Sequence, residues 1–220
     1  MVFKLSKDEL TVDKEAIIQK LRISEDDMDE FNEIFEKCMS IACPKYLFAK
    51  KEITAIDDNS VQIEEITIKS KIASKNMRNT GYAYPYVVTC GQEIYEYAHT
   101  ISDPFVSYWI DHIMEQLLYL TMGKMKQHMK ANYNLGKTAT VNPGSTVDWP
   151  ISGQSQLFAL LSDEIKDTGI ILTPSFLMLP NKSASGVLFA TEEDYMNCQY
   201  CKRKNCPNRR KEYIQTDEDK

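Results

Sequence analysis

Glycine and proline are scarce in this chain, with eight of each in 220 residues. That scarcity excludes collagen-like and low-complexity architectures, and no stretch of the sequence serves as a flexible linker. Positive charge is also in deficit, 26 Lys and Arg against 32 Asp and Glu for a net charge of −6. Proteins built around nucleic acid normally show the opposite balance. No apolar run approaches the ~20 residues of a membrane-spanning helix. The opening MVFKLSKDEL lacks the apolar centre of a signal peptide, so a cytoplasmic location and no membrane partner are the expectation. Only three histidines occur, His99, His112 and His128, at spacings that repeat no ligand pair. A G-x-S-x-G elbow, a P-loop and a G-x-G-x-x-G turn after a strand are all missing, which removes triad hydrolysis and nucleotide phosphate chemistry from consideration.

What is present is an average globular composition, 43% hydrophobic and 26% charged. A chain of this length buries about 70% of its unfolded surface. Helices are predicted over 13–21 and 24–43, the second with Ser24 as cap and Met28, Phe31, Ile34, Phe35, Cys38 and Met39 on one face. Strands are predicted over 45–56 and 61–68, the latter from the alternation in SVQIEEITIKS, and over 83–90, where Pro85 places the strand at an edge or end. A long helical region follows from Gly91, breaks near Asp103-Pro104 with Ser102 as the second cap, and runs to about Tyr133. Its apolar stripe is Phe105, Trp109, Ile113, Leu117 and Leu120. A helix over 153–167 ends at Gly169, and short strands follow at 170–173, 175–179 and 185–190. The fold class is α+β, with helices around a largely antiparallel sheet and a cysteine-bearing C-terminal appendage. Residues 1–82 are N-terminal helices and strands of the same domain, 83–195 the core, and 196–220 a cysteine-rich basic segment with a solvated tail, TDEDK.

Three features carry chemistry. Cys198, Cys201 and Cys206 stand in a C-x2-C-x4-C run, and soft thiolates at that density favour zinc or an iron–sulfur cluster. The position a zinc knuckle needs next is Lys211, so a fourth ligand must come from Cys38, Cys43 or Cys90, or the position stays open. The plain alternative is three unligated thiols. The six positive charges between 202 and 211 are a solvated surface or a docking patch for an acidic partner. The third feature is the pair of loops VNPGSTVDWP at 141–150 and LPNKSASG at 179–186. In the first, Trp149 offers a ring face to a cation, Asp148 accepts from ribose hydroxyls, and the backbone of Asn142, Pro143 and Gly144 takes a flat heterocycle or an amino-acid end. In the second, Lys182 and Ser183 suit a carboxylate or phosphate, and Gly186 permits close backbone approach. A hairpin turn with an exposed lysine is the alternative.

TCGQEI at 89–94, NPGSTVDWPISGQSQLFALL at 142–161, IILTPSFLMLPNKSASGVLFA at 170–190 and CQYCKRKNCPNRR at 198–210 together resemble the reactivation domain of vitamin B12-dependent methionine synthase, and its free-standing relatives above all. The resemblance spans about residues 85 to 210. It implies a C-shaped domain around a bent antiparallel sheet. It also implies binding of S-adenosylmethionine and docking onto a corrinoid-dependent methyltransferase whose cobalamin has been oxidised to cob(II)alamin. An electron from a donor such as flavodoxin or ferredoxin, with the adenosylmethionine methyl group, then restores methylcobalamin. The adenosylmethionine cleft implied in this chain holds Asn142, Pro143, Gly144, Ser145, Asp148 and Trp149, with Lys182 and Ser183 in the neighbouring turn. Where the family has an arginine three residues before the Pro-Gly and a tyrosine after the glycine, this chain has Thr140 and Ser145. The charge-assisted contact to the ligand carboxylate is missing, leaving Lys182 or Arg78 as substitutes. The alternatives are a metal-bearing scaffold that keeps the fold without the adenosylmethionine site, and an independent enzyme, for which the sequence supplies no general base.

Overall fold

A computed structural model describes residues 1–206 and 209–214. The elements in chain order are β1 (Phe3–Lys4), α1 (Lys14–Leu21), α2 (Met28–Ile41), β2 (Lys45–Phe48), β3 (Lys51–Ile56), β4 (Ser60–Ile63), β5 (Ile66–Lys69), α3 (Lys71–Met77), β6 (Tyr82–Thr89), α4 (Gln92–Thr100), α5 (Pro104–Tyr133), β7 (Thr138–Val141), α6 (Gln154–Leu161), β8 (Ile171–Leu172), β9 (Met178–Leu179) and β10 (Ser183–Ala190). The class is α+β with an antiparallel sheet, eight strands in the main sheet and β8–β9 as a separate ribbon.

Strand β6 is the axis of the sheet. On one side it pairs along its length with β10, which pairs in turn with β7. On the other side β2 takes residues 86–89 and β3 takes residues 82–83. Pro85 therefore lies in a central strand, not at an edge as its type predicts. The reason is local: the Pro85 carbonyl accepts from Ala49 N–H at 3.1 Å, in the break between β2 and β3. The N and C=O of a strand residue point the same way, so the missing proline N–H also faces that break, where no ladder bond is lost. The same break divides the predicted strand 45–56 into two.

Side-chain alternation sorts the sheet into two faces. Tyr46, Phe48, Tyr84, Tyr86, Val88 and Leu188 face a core completed by α1, α2, α4 and α5, with Ile17, Phe31, Phe35, Cys38 and Ile110. Leu47, Ala83, Val87, Val187 and Phe189 face a second core completed by α3 and α6, with Met77, Trp149, Leu157 and Leu161. Full burial of each Val, Leu, Ile, Phe or Met side chain among them contributes about 1.5–3 kcal/mol.

Several boundaries differ from expectation for identifiable reasons. The stretch 61–68 is a hairpin of β4 and β5, not one strand. The apolar positions shift from odd (Val61, Ile63) to even (Ile66, Ile68) across Glu64–Glu65, and Glu64 takes φ +50°. The helix begun at α6 gives way at Ser162, φ +56°, to a 3-10 segment over Ser162–Thr168. Asp103, not Ser102, caps α5, accepting from the N–H groups of Phe105 and Val106 at 2.8 and 3.1 Å. Phe105 leaves the predicted stripe and is 73% exposed. Residues 1–82 supply five strands to the same sheet as β6 and β10. The TDEDK tail lies outside the described residues.

Candidate ligand-binding site

The loop after β7 is built to hold itself. Asn142–Ser145 is a turn closed by Ser145 N–H to Asn142 O at 3.1 Å, with Pro143 and Gly144 at its centre and Gly144 at φ +77°, the pattern of a type II turn. Gly144 N–H donates to Trp149 O at 2.8 Å, and Thr146 and Trp149 form a bridge. The N–H groups of Gly144 and Ser145 are thus spent within the loop. Val147 and Ile151, 42% and 39% exposed, remain at the surface with Gly144.

Beneath it runs a buried polar network that sequence reasoning did not assemble. Asn142 Nδ2 donates to Tyr86 OH at 3.2 Å and to the Ser185 carbonyl. Its Oδ1 accepts from Asn197 Nδ2, and Asn197 Oδ1 accepts from Tyr195 OH at 2.6 Å. Ser185 Oγ donates to Gln154 Oε1 at 2.8 Å. Burial raises the phenol pKa values of Tyr86 and Tyr195, so both stay protonated, Tyr86 accepting from Asn142 and Tyr195 donating to Asn197. Gln154 and Ser185 are each about 4% exposed, but they stand among small and polar neighbours in ISGQSQ and KSASG, so the sequence carried no signal of their burial.

The predicted site residues are only partly brought together. Asn142, Pro143, Gly144, Ser145, Asp148 and Trp149 share the loop, but Trp149 presents no ring to a ligand. It is 2% exposed in the second core, its indole N–H donating to Gln156 Oε1 at 3.2 Å. Asp148 Oδ2 accepts from Ser70 Oγ and Ile72 N–H, both at 2.9 Å, pinning the loop to the start of α3. Its Oδ1 is buried without a partner among the described residues, as is Ser183 Oγ. Buried polar atoms are normally paired, so these two represent hydrogen-bonding capacity the fold does not use.

Lys182 points elsewhere. Its ammonium pairs with Asp111 of α5 at 2.8 Å, on the face opposite Ser183 and Ser185, as adjacent positions of an extended chain require. Replacing Lys182 with methionine is accordingly expected to change stability by no more than about 1 kcal/mol, with S-adenosyl ligand affinity unchanged. Paired thermal melts and calorimetry check both. Arg78 is equally removed, pairing with Asp58 at 2.7 Å.

The cysteines divide into two groups. Cys38, Cys43 and Cys90 are buried, and desolvation pushes the thiols of Cys38 and Cys90 up to about 12. Cys198, Cys201 and Cys206 are half-buried and free. Around them the backbone carbonyls gather, with the Arg209 guanidinium donating to Cys198 O at 2.7 Å, Cys201 O at 3.1 Å and Arg203 O at 2.6 Å. Among the described residues no three His, Cys, Asp or Glu groups converge to hold a metal ion. The expected metal set is therefore not assembled: the segment is organised about an arginine, and no step below is routed through a metal. In native protein at pH 8, a disulfide reagent should modify the three C-terminal thiols and spare Cys38 and Cys90 until denaturant is added, as mass spectrometry of the labelled peptides will show.

One cavity of about 360 Å³ lies between α3, the segment leaving β10 and the turn at Gln199–Tyr200. None of the sequence-predicted site residues lines it.

Comparison with known proteins reaches this chain through structure. No family model and no curated protein sequence matches it. Among solved structures it is similar to the MetH reactivation domain, determined bound to AdoHcy, at 15% sequence identity and a TM-score of 0.63. The likeness covers 89% of this chain and 80% of that one. The chain has the fold of that reactivation domain. No helix among the described residues is long and apolar enough to cross a membrane.

Proposed function

We propose that this protein is a cytoplasmic accessory factor for the reductive reactivation of a corrinoid-dependent methyltransferase, and that it binds an S-adenosyl ligand at the loop Asn142–Trp149. The observation that carries the reading is the fold it shares with a reactivation domain solved with S-adenosylhomocysteine in place. The order of the four sequence motifs along the chain agrees with it. Within the loop, the unspent acceptor Oδ1 of Asp148 suits a hydroxyl donor such as a ribose, and Ser183 Oγ offers a further polar contact. Neither Lys182 nor Arg78 replaces the family arginine, since each is paired away from the loop. The ligand's own carboxylate then lacks a charge-assisted partner worth about 1.5–3 kcal/mol, and affinity rests on the Asp148 carboxylate with neutral hydrogen bonds of about 0.5–1.5 kcal/mol each.

The chemistry to be served is the conversion of cob(II)alamin to methylcobalamin, with one electron from a flavodoxin or ferredoxin and the methyl group from adenosylmethionine, leaving S-adenosylhomocysteine. This chain's part is to hold the sulfonium ligand and present it to the corrinoid protein. The test is anaerobic spectrophotometry of a cob(II)alamin-poised methyltransferase mixed with reduced flavodoxin, S-adenosylmethionine and this protein. Growth of the methylcobalamin spectrum that depends on the protein supports the reading. An identical time course without it contradicts the reading.

A further inference from the structure

The cavity of about 360 Å³ is walled by residues far apart in sequence. Lys75 and Asn79 come from the C-terminal part of α3 and its exit, Glu192 and Glu193 from the segment leaving β10, and Gln199 and Tyr200 from the last turn before Cys201. Its volume is at the lower end of the roughly 300–1,000 Å³ typical of small-molecule sites. Among its lining residues, Tyr195 is 7% exposed, lies against Tyr200 with ring centroids 5.9 Å apart and planes tilted by 31°, and is hydrogen-bonded to Asn197.

The charges in this space divide into used and unused. Asp194 is occupied by Lys211 and by Lys137, the latter at 3.6 Å. Lys75, Glu192 and Glu193 line the same cavity and enter no ion pair among the described residues. The cavity lining thus includes one cationic residue from α3 and two acidic residues from the segment leaving β10, all three exposed and without an ion-pair partner among the described residues. A phosphorylated or polycarboxylate ligand would meet Glu192 and Glu193 with like charge, and a polyamine would meet Lys75. A molecule carrying one carboxylate and one ammonium satisfies both walls, with Asn79 and Gln199 as neutral hydrogen-bonding partners and Tyr200 as an apolar surface.

We infer that this cavity is a second ligand site, distinct from the loop 142–149, and that it takes a zwitterion of the free α-amino-acid type. The carboxylate sits toward Lys75 and the ammonium toward Glu192 and Glu193. The site stands on its own charges and does not depend on the S-adenosyl reading.

The experiment is a thermal-shift screen of the full-length protein against the common L-amino acids at millimolar concentration. Calorimetry follows with the best binder, its N-acetyl form and its carboxamide. The expected result is a raised melting temperature with at least one amino acid, and at least about a tenfold loss of affinity when either charged end is blocked. Lys75→Met is expected to lose about tenfold as well, with Lys75→Arg retaining binding and both variants keeping the wild-type melt without ligand. No shift with any amino acid would overturn the inference. So would blocked forms binding as tightly as the parent, or undiminished binding to Lys75→Met.

Discussion

Replacing Trp149 with alanine is expected to destabilise the fold by about 3–5 kcal/mol, the range for deleting a large buried aromatic. The side chain is 2% exposed among Leu157, Leu160, Leu161, Val187 and Phe189. Its fit is close: a Cβ on Gly153 would sit 2.2 Å from the indole nitrogen, so α6 approaches the ring without intervening atoms. Removing the ring leaves a cavity and also frees Gln156, whose amide otherwise links the indole to the Thr67 carbonyl at 2.7 Å. Urea unfolding is the measurement, reading the midpoint at constant slope. A loss below about 1 kcal/mol, the scale of an exposed substitution, would mean that the ring faces solvent or ligand and that the second core is wrongly drawn.

Gly186→Ala is the second large effect. An added Cβ would lie 2.2 Å from Asn142 Nδ2, 2.9 Å from the Val141 carbonyl and 3.0 Å from Tyr86 OH. The Asn142 amide is the far end of a side chain and can swing away. The Val141 carbonyl belongs to β7 and cannot move without shifting the pairing with β10. Overpacking of this kind costs about 1–3 kcal/mol. Displacing Asn142 then unpairs buried polar groups at about 1–3 kcal/mol, because it is the node joining Tyr86, Ser185 and Asn197. Both costs fall on the folded loop, so the variant should melt early and bind S-adenosyl ligand weakly. A variant as stable as wild type would show that the close approach of β7 and β10 is not real.

The two effects explain which parts of the architecture were legible in sequence. Helices α2 and α5 announced themselves through apolar positions at three- and four-residue spacing, and Phe31, Phe35, Trp109, Ile113 and Leu117 are buried as that spacing requires. The short elements did not. Strand β7, TATV, and helix α3, opened by Ser70 accepting from Ala73 N–H at 2.9 Å, are too brief for periodicity to rise above noise. Pro85 misled because its meaning depends on which neighbour faces it, and that is set by the β2–β3 break nearly forty residues earlier in the chain.

The loop was legible as a tight turn, while the uses of its side chains were not. The density of Pro, Gly, Asp and Trp in 142–149 marked a tight loop correctly, and the loop exists. What the residue types could not reveal is whether each polar or aromatic group is spent on the ligand or on the fold. Trp149, Asn142 and Lys182 all proved to have partners within the protein. The thiols of the C-terminal run were equally ambiguous, since C-x2-C-x4-C spacing fixes proximity along the chain and not convergence in space.

The most direct measurement is anaerobic calorimetry of the full-length protein with S-adenosylhomocysteine and S-adenosylmethionine, wild type beside Thr140→Arg. Saturable binding of both ligands by the wild type is predicted. Thr140→Arg should tighten that binding by about 1.5–3 kcal/mol, the worth of a hydrogen bond to a charged group. Absence of heat with either ligand, for both proteins, would contradict the account and leave a reactivation-domain fold that serves some purpose other than holding an S-adenosyl group.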